Sequence, residues 1–244
     1  PVHSKNPFTI WRNIARLRAL IQEYDVDIVH ARSRAPAWSA LYACRGTRAR
    51  FVTTCHAPYN LGGRLKRWYN SSIAAGERVI AISKFVGDYL RDNYRIDSSK
   101  IRVIPRGVAL DRFHPSAVRP ERIIALARKW RLPDGVNVIM MPARLTRWKG
   151  HHVLIEAMSL VKRKDVFCVL IGSDQGRTDY TKELLELIRT RRLEGHVRIV
   201  EHCDDMPAAY MLAAAVVCAS IEPEGFGRVP VEAQVMGRPT IATN

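Results

Sequence analysis

Short apolar runs alternate with helix-length segments along the whole chain. The runs are rich in Val and Ile and are bounded by Gly, Pro or polar residues, which is typical of strands. Because strands of a parallel sheet are buried on both faces, continuous apolar runs of this kind predict a series of βα units. The predicted strands are 25–30, 51–56, 78–83 and 101–105 in the first half, and 136–143, 166–172, 197–201, 214–220 and 239–243 in the second.

Helices are predicted between these strands. The segment 8–24 places Ile10, Ile14, Leu17 and Ile21 on one face of an amphipathic helix. Such a stripe can cover a sheet or dip into a membrane surface, and the βα pattern favours the sheet. Further helices are predicted at 120–131, 150–161, 178–191, 206–212 and 229–236.

The pattern breaks once, where Gly107 and Pro115 punctuate an irregular stretch. We therefore predict an α/β protein of two doubly wound domains, an N-terminal one over 1–117 and a C-terminal one over 118–244. The sequence opens on Pro1 without an initiator Met and stops directly after an apolar strand. Both domains are accordingly expected to be incomplete, as in a fragment that lacks both termini.

Charge is distributed unequally. The 244 residues carry 39 Lys and Arg against 23 Asp and Glu, a net charge of +16, and residues 1–118 hold 20 of the bases but 8 of the acids. The first half is thus expected to face an anionic partner, namely nucleic acid, an acidic membrane leaflet or a phosphorylated substrate. The alternative is that the Arg-rich composition reflects genomic composition and solubility alone. The five Cys are odd in number and scattered, which indicates a reducing compartment rather than a disulfide framework. The longest uncharged apolar stretch, 207–221, falls short of the ~20 residues of a membrane span.

Two cations flank the turn that follows the first strand of the second half. Arg144 and Lys149 lie in the sequence RLTRWKG, and the next helix begins at its Gly150. A guanidinium fork, an ammonium group and the unpaired N–H groups of a helix start together suit a diphosphate. The alternative is that both side chains are simply solvated.

A second constellation occupies residues 222–233. Gly225 and Gly227 allow a close backbone approach to a ligand ahead of a helix N-terminus. Glu224 and Glu232 are separated by seven residues, so one carboxylate can reach the sugar side of a bound phosphate and the other a ribose diol. Glu222 competes with Glu224 for the first role. Read separately, Glu232 could be a surface helix residue and Glu224 a cap.

These motifs carry a family resemblance. RLTRWKG, EGFGRVPVEAQVMGRPTIAT, VIAISKFVGDYL and IRVIPRGVALDRFHP together closely resemble family-4 glycosyltransferases of the GT-B fold, especially bacterial lipopolysaccharide and cell-surface types. The resemblance implies two Rossmann-like domains facing a cleft, and a UDP- or GDP-linked sugar donor held mostly by the C-terminal domain. It further implies transfer with retention of configuration, without a metal or other cofactor.

The resemblance also implies roles for individual residues. Arg144 and Lys149 would bind the donor diphosphate, Glu224 the donor sugar, and Glu232 the ribose. The remaining donor-binding candidates are Gly225, Phe226, Gly227, Arg228, His202 and Cys203, of which the last two end a strand near where such enzymes pack the base. The next residue, Asp204, is more simply the N-cap of the helix that includes Pro207.

His56 is the candidate from the N-terminal half. It ends a predicted strand within TCHAPYN and looks like the family's His-bearing loop, which approaches the donor sugar, although a structural role is equally open. The other His residues lack metal-ligand spacing. The Asp-Val-Asp at 25–27 opens a strand at the end opposite the ligand edge, so no metal site is expected.

The predicted mechanism is electrostatic and positional. Departure of the donor sugar leaves negative charge on the diphosphate, which Arg144, Lys149 and the helix N-termini would stabilise, while Glu224 and His56 face the sugar. The expected acceptor is a glycan or lipid-linked glycan, and the expected location is cytoplasmic, peripheral on the inner face of an anionic membrane.

Two other classes of function stay open: a nucleotide-sugar epimerase of GT-B architecture and a basic nucleic-acid-binding module. Nucleic acid is not expected, because basic and aromatic residues do not interleave along one face.

Overall fold

A computed structural model describes residues 7–243 as an α/β protein. The chain forms two compact units, Pro1–Arg106 and Gly107–Asn244. Each unit contains a wholly parallel sheet with helices between successive strands, as the alternation of apolar runs predicts.

The first unit has a four-stranded sheet in the order β1-β2-β3-β4. The order runs in one direction, so the described strands of this unit include no switch point. Because the strands are parallel, their carboxyl ends lie at one edge, and His56 directly follows β2 at this edge. The elements are α1 (Pro7–Glu23), β1 (Ile28–Ala31), α2 (Arg34–Cys44), β2 (Arg50–Cys55), α3 (Arg64–Asn70), β3 (Arg78–Ala81), α4 (Lys84–Tyr94) and β4 (Ile101–Val103), with 3₁₀ turns at Ser71–Ala74 and Ser98–Lys100.

The predicted amphipathic helix is α1, and it packs against α2. Ile21 is buried, whereas Ile10 and Ile14 are half-buried. Arg18 donates hydrogen bonds to the carbonyl oxygens of Tyr42 (2.9 Å) and Arg45 (3.2 Å) at the carboxyl end of α2. Cations are favourable at this end of a helix, so Arg18 joins the two helices.

The second unit has a five-stranded sheet in the order β7-β6-β5-β8-β9. The order reverses between β5 and β8, which creates the switch point of a doubly wound sheet at their carboxyl ends. The elements are α5 (Pro120–Lys129), β5 (Asn137–Pro142), α6 (His151–Leu160), β6 (Val166–Ile171), α7 (Thr178–Thr190), β7 (Val197–Val200), α8 (Met206–Leu212), β8 (Ala213–Cys218), α9 (Arg228–Val235) and β9 (Thr240–Ala242), with 3₁₀ turns at Pro115–Ala117 and Arg147–Lys149.

Two apolar clusters form the core of this unit. One contains Phe167 and Tyr210, and the other contains Ile155, Leu170 and Leu184. All six residues of β6 are buried, as expected for a strand covered on both faces. Among residues 7–243, no helix is long and apolar enough to cross a membrane.

The division between the units falls earlier than the boundary we predict at 117/118. It lies between Arg106 and Gly107, because the irregular segment that follows packs with the second unit. Phe113 and Val118 are both buried in that unit's core, and the Phe113 ring lies 6.2 Å from the ring of Tyr210. Gly and Pro mark an irregular segment, but side-chain burial decides to which unit it belongs.

The start of α8 is fixed by Asp205. Its carboxylate accepts a hydrogen bond from the backbone N–H of Ala208 (3.2 Å) and two from Arg122 of α5 (2.6 and 2.8 Å). From sequence the neighbouring Asp204 is the simpler cap, and this expectation is wrong: the side chain of Asp204 is almost fully exposed and pairs with His202. The hydrogen bonds from Arg122 lower the pKa of Asp205.

Candidate functional site

The loops that follow β5 and β8 lie against each other at the switch point. The backbone N–H of Ile221 donates to the carbonyl oxygen of Trp148 at 2.8 Å. Gly150 has a φ of +76°, and a Cβ at this position would stand 1.8 Å from the carbonyl oxygen of Ala219. Only glycine allows this approach.

This approach places an ion pair between the loops. Lys149 Nζ lies 2.5 Å from Glu224 Oε1, and the two side chains are 14% and 21% exposed. The ammonium group also stands 4.1 Å from the centroid of the Trp148 ring, a favourable cation–π distance. The sequence singles out each partner, but it does not predict their pairing, since they are 75 residues apart.

Three donors converge on Oε1 of Glu224. Besides Lys149, the hydroxyl of Ser220 donates to it, and so does the thiol of Cys218 at 3.4 Å. Burial raises the pKa of Glu224, but the hydrogen bonds from Lys149 and Ser220 outweigh it and hold this pKa below its ordinary value. The carboxyl group is therefore ionised at neutral pH.

A cavity of about 440 Å³ opens beside this cluster. Glu224, Phe226 and Gly227 line it, as do Ser220 and Cys218. Gly227 has a φ of +74° and precedes α9, so the N-terminus of this helix lies beside the cavity. Gly225 belongs to the same loop, and Glu222, the competitor of Glu224, also lines the cavity but is exposed. Ser220 and Cys218 do not stand out from the sequence as functional candidates, although their position at the carboxyl end of β8 is where such residues are expected.

The two carboxylates separated by seven residues have different surroundings. Glu232 lies within α9, where its Oε2 accepts a hydrogen bond of 2.9 Å from the hydroxyl of Tyr210. Tyr210 is fully buried, and burial together with the charge of Glu232 raises its pKa. Glu232 is half-buried, whereas Arg228, one turn earlier in α9, is exposed. Tyr210 is a second partner that sequence reasoning misses, because its place in an apolar helix looks like that of a core residue.

The two cations of the loop that follows β5, Arg144 and Lys149, also differ from each other in their surroundings. Arg144 is exposed, and within residues 7–243 its guanidinium has neither a hydrogen-bond acceptor nor an acidic partner. Lys149 is already paired with Glu224. The guanidinium is therefore available for an anion, while the ammonium group would be shared between Glu224 and such an anion.

His56 lies in the first unit and is half-buried. Burial and the nearby positive charges of Arg106 and Arg32 lower its pKa, which leaves the imidazole neutral at neutral pH. Its Nδ1 is buried and has no partner among the described residues. The neighbouring His30 contacts Thr54 at 2.7 Å.

His202 and Cys203 follow β7, at the sheet edge two strands away from β5. The His202 side chain is 73% exposed and stands 3.2 Å from Asp204. Cys203 is 7% exposed and packs in the core cluster of Tyr210. Neither residue lines the cavity of Glu224, and a base contact at Cys203 would have to use its backbone.

Within residues 7–243, no three His, Cys, Asp or Glu side chains are arranged to hold a metal ion. The charged side chains at the switch point include the cations Arg144 and Lys149 and the carboxylates of Glu222 and Glu224.

Comparison with known families agrees with these features. Residues 1–112 match the family described as Glycosyltransferase Family 4, and residues 123–244 match Glycosyl transferases group 1. The chain belongs to the group 1 glycosyl transferases. The resemblance that the sequence motifs carry is thereby confirmed.

Several known glycosyltransferases are similar to this group 1 chain in sequence. A D-inositol 3-phosphate glycosyltransferase of Salinispora arenicola is 32% identical over 180 residues, which cover 70% of this chain and 40% of that protein. A GDP-mannose-dependent alpha-(1-6)-phosphatidylinositol monomannoside mannosyltransferase of Mycobacterium tuberculosis is 27% identical over 249 residues, with 94% and 61% covered. The chain thus spans about 40–60% of the length of these relatives.

Solved structures confirm the fold as GT-B. A glycosyltransferase from Rickettsia africae superposes with a TM-score of 0.89 at 42% identity, covering the whole of this chain and 64% of that one. HepE of Anabaena, solved in complex with UDP-glucose, gives a TM-score of 0.81 at 24% identity, covering 94% of this chain and 62% of that one.

The close approach at Gly150 yields the first prediction. Gly150→Ala places a Cβ against the carbonyl of Ala219, so we expect a larger loss of unfolding free energy than for Gly135→Ala. Gly135 is the matched control because its φ is +71° and nothing lies within 4 Å of its Cβ position. Left-handed backbone alone costs alanine about 1–2 kcal/mol, and the clash adds about 1–3 kcal/mol. Urea unfolding measures the unfolding free energy of both variants. Equal losses would contradict the interpretation that Gly150 is needed for the close approach of the two loops.

Proposed function

We propose that this chain forms part of a retaining glycosyltransferase that moves a hexose from a nucleoside-diphosphate donor to a glycan or lipid-linked acceptor. The observation that carries the proposal is the Lys149–Glu224 pair at the switch point, together with Arg144 of the same loop as Lys149, which has no acidic partner among residues 7–243. Doubly wound sheets bind nucleotides at such a point, and the cavity of about 440 Å³ next to the pair has room for a sugar.

The chemistry follows from the leaving group. Cleavage of the anomeric C–O bond puts negative charge on the diphosphate and positive charge on the sugar ring. The oxygen of an acceptor hydroxyl would then bond to the anomeric carbon, and its proton would pass to the departed diphosphate. Arg144, Lys149 and the N-termini of α6 and α9 would stabilise the diphosphate, which needs no proton to depart. Glu224, held ionised, would accept hydrogen bonds from sugar hydroxyls, and Glu232 would accept one from the ribose. The neutral imidazole of His56 would contact the donor sugar.

Metal independence is part of the proposal. A divalent cation in such a reaction neutralises the diphosphate and polarises the departing oxygen. Arg144 and Lys149 place two positively charged groups in the loop that follows β5, one of them shared with Glu224, which supports transfer without a metal ion or other cofactor.

Donor binding tests the proposal directly. Arg144→Ala and Lys149→Ala should each weaken nucleoside-diphosphate binding by about 1.5–3 kcal/mol, the contribution of a hydrogen bond to a charged group. Isothermal calorimetry with UDP and with GDP measures this, because the mycobacterial relative is named for GDP-mannose and the Anabaena structure contains UDP-glucose.

Arg147→Ala is the matched control. Arg147 lies in the same turn, but it pairs with Glu183 of α7, so its loss should leave the affinity unchanged. A chelator in excess should also leave it unchanged. The proposal is wrong if neither nucleotide binds, or if both site variants bind as wild type does. An altered free nucleotide sugar without transfer would indicate an epimerase instead.

The two carboxylates should be separable by kinetics. Glu232→Gln keeps an acceptor for Tyr210 but loses the charge, and it should weaken UDP and UDP-sugar binding alike, since both ligands contain ribose. Glu224→Gln should lower turnover by tenfold or more and change the nucleoside-diphosphate affinity little. Identical effects on turnover and affinity in the two variants would contradict these roles.

We also propose that the first unit contacts an anionic membrane from the cytoplasmic side. Exposed cations lie on α1 (Arg12 and Arg16) and α3 (Arg64 and Lys66), two of the three helices that line an aromatic groove of about 340 Å³. The groove is lined by Ile10, Trp11, Ile14, Trp38, Tyr42, Trp68 and Tyr69. Amphipathic aromatic rings beside cations match the chemistry of an anionic lipid surface.

Vesicle sedimentation tests this contact. The protein should sediment with phosphatidylglycerol vesicles at low salt, detach as salt rises, and ignore phosphatidylcholine vesicles. Changing Arg12, Arg16, Arg64 and Lys66 to Gln should remove about 1 kcal/mol of binding per residue. The matched control changes four exposed cations of the second unit, Lys162, Lys164, Lys182 and Arg192, and should bind as wild type does. Equal loss of vesicle binding in both quadruple variants would contradict the proposed membrane contact. So would recovery of the wild-type protein in the supernatant at low salt.

A further inference from the structure

Ser220 stands at the junction between β8 and the loop that carries Glu224. We infer that Ser220 is a positioning residue, which fixes one oxygen of the Glu224 carboxylate so that the other is presented to a hydroxyl of the donor sugar. The identity of that ligand rests on the proposed function, whereas the arrangement of the carboxylate does not.

Ser220 is held firmly in place. It is 8% exposed, and its carbonyl oxygen accepts a hydrogen bond of 2.6 Å from the hydroxyl of Thr243. The preceding residue, Ala219, lies under Gly150 at the closest approach of the two loops. The backbone that carries the Ser220 hydroxyl is therefore held in place, and from this position the hydroxyl donates a hydrogen bond to Glu224.

The three donors leave the two oxygens of Glu224 unlike each other. A carboxylate oxygen has about two lone-pair directions, and Oε1 already accepts from Lys149, Ser220 and Cys218. Within the described part of the chain, Oε2 accepts no hydrogen bond; it stands 3.9 Å from the position of a Cβ on Gly227. Both Glu224 and Gly227 line the cavity, so a hydroxyl donor that enters it finds Oε2 unoccupied.

Ser220 matters most when a diphosphate is bound. The ammonium group of Lys149 is then shared with the phosphate oxygens, which weakens its hold on Oε1. Cys218 is a weak donor at 3.4 Å. The Ser220 hydroxyl is then the strong donor that keeps the carboxylate ionised and oriented.

The test compares Ser220→Ala, which removes the donor, with Ser220→Thr, which retains a hydroxyl. Ser220→Ala should lower kcat/KM for the nucleotide sugar about tenfold, the effect of one hydrogen bond to a charged group, and leave UDP affinity within about twofold. Loss of a hydrogen bond to the ionised form raises the pKa of Glu224, so the acidic limb of the pH profile should move to higher pH. Ser220→Thr should restore both.

Ser159→Ala is the matched control, because this serine donates to the carbonyl of Glu156 within α6 and should change neither quantity. A role of Ser220 in loop stability alone predicts equal losses for UDP and the nucleotide sugar and an unmoved acidic limb. Either result would overturn the inference.

A second measurement does not depend on activity. The carboxyl ¹³C signal of Glu224, assigned by its absence in Glu224→Gln, can be titrated in the whole protein. Its pKa should rise in Ser220→Ala and return toward the wild-type value in Ser220→Thr. An unchanged titration would overturn the inference even in an active enzyme. A wild-type protein that binds no nucleotide would overturn the proposed function, while the titration would still decide the role of Ser220.

Discussion

The close approach of two backbones at Gly150 and Ala219 is the constraint on which the rest of the site depends. β5 and β8 are neighbours in the sheet, so the loops at their carboxyl ends leave in the same direction. A side chain at Gly150 would hold them apart. Without it, the loops join through the hydrogen bond from Ile221 to Trp148, and Lys149 reaches Glu224.

Burial strengthens the ion pair between Lys149 and Glu224, but this pair does not neutralise every cation of the site. Little water reaches Lys149 and Glu224, so their attraction is screened less than that of an exposed pair. Arg144 adds a second positive charge that no acidic side chain of residues 7–243 balances. The Arg144 guanidinium therefore leaves one positive charge at the switch point without a paired carboxylate among these residues, although Glu224 is ionised. An anionic ligand can pair with this guanidinium, and a neutral one cannot balance its charge.

The sequence predicts the architecture because its signals are local. All nine predicted strands are present, and the two units have the expected parallel sheets. Gly and Pro locate the irregular segment after β4, but tertiary packing of Phe113 and Val118 moves the division between units to Arg106. The cap of α8 shifts from Asp204 to Asp205 for a similar reason, since Arg122 of α5 pairs with only one of two adjacent carboxylates.

The site is predictable in its parts but not in its connections. Lys149, Glu224 and Glu232 stand out by residue type and spacing, whereas their partners Ser220, Cys218 and Tyr210 read as ordinary strand and helix residues. The hydrogen bond from Tyr210 to Glu232 joins α9 to the core. The hydrogen bond from the Thr243 hydroxyl to the Ser220 carbonyl oxygen joins the end of β8 to the end of the neighbouring strand β9. The loop that lines the cavity is thus anchored at both ends. Much of the conformational entropy of ordering this loop is consequently lost during folding, and little remains to be lost when a ligand arrives.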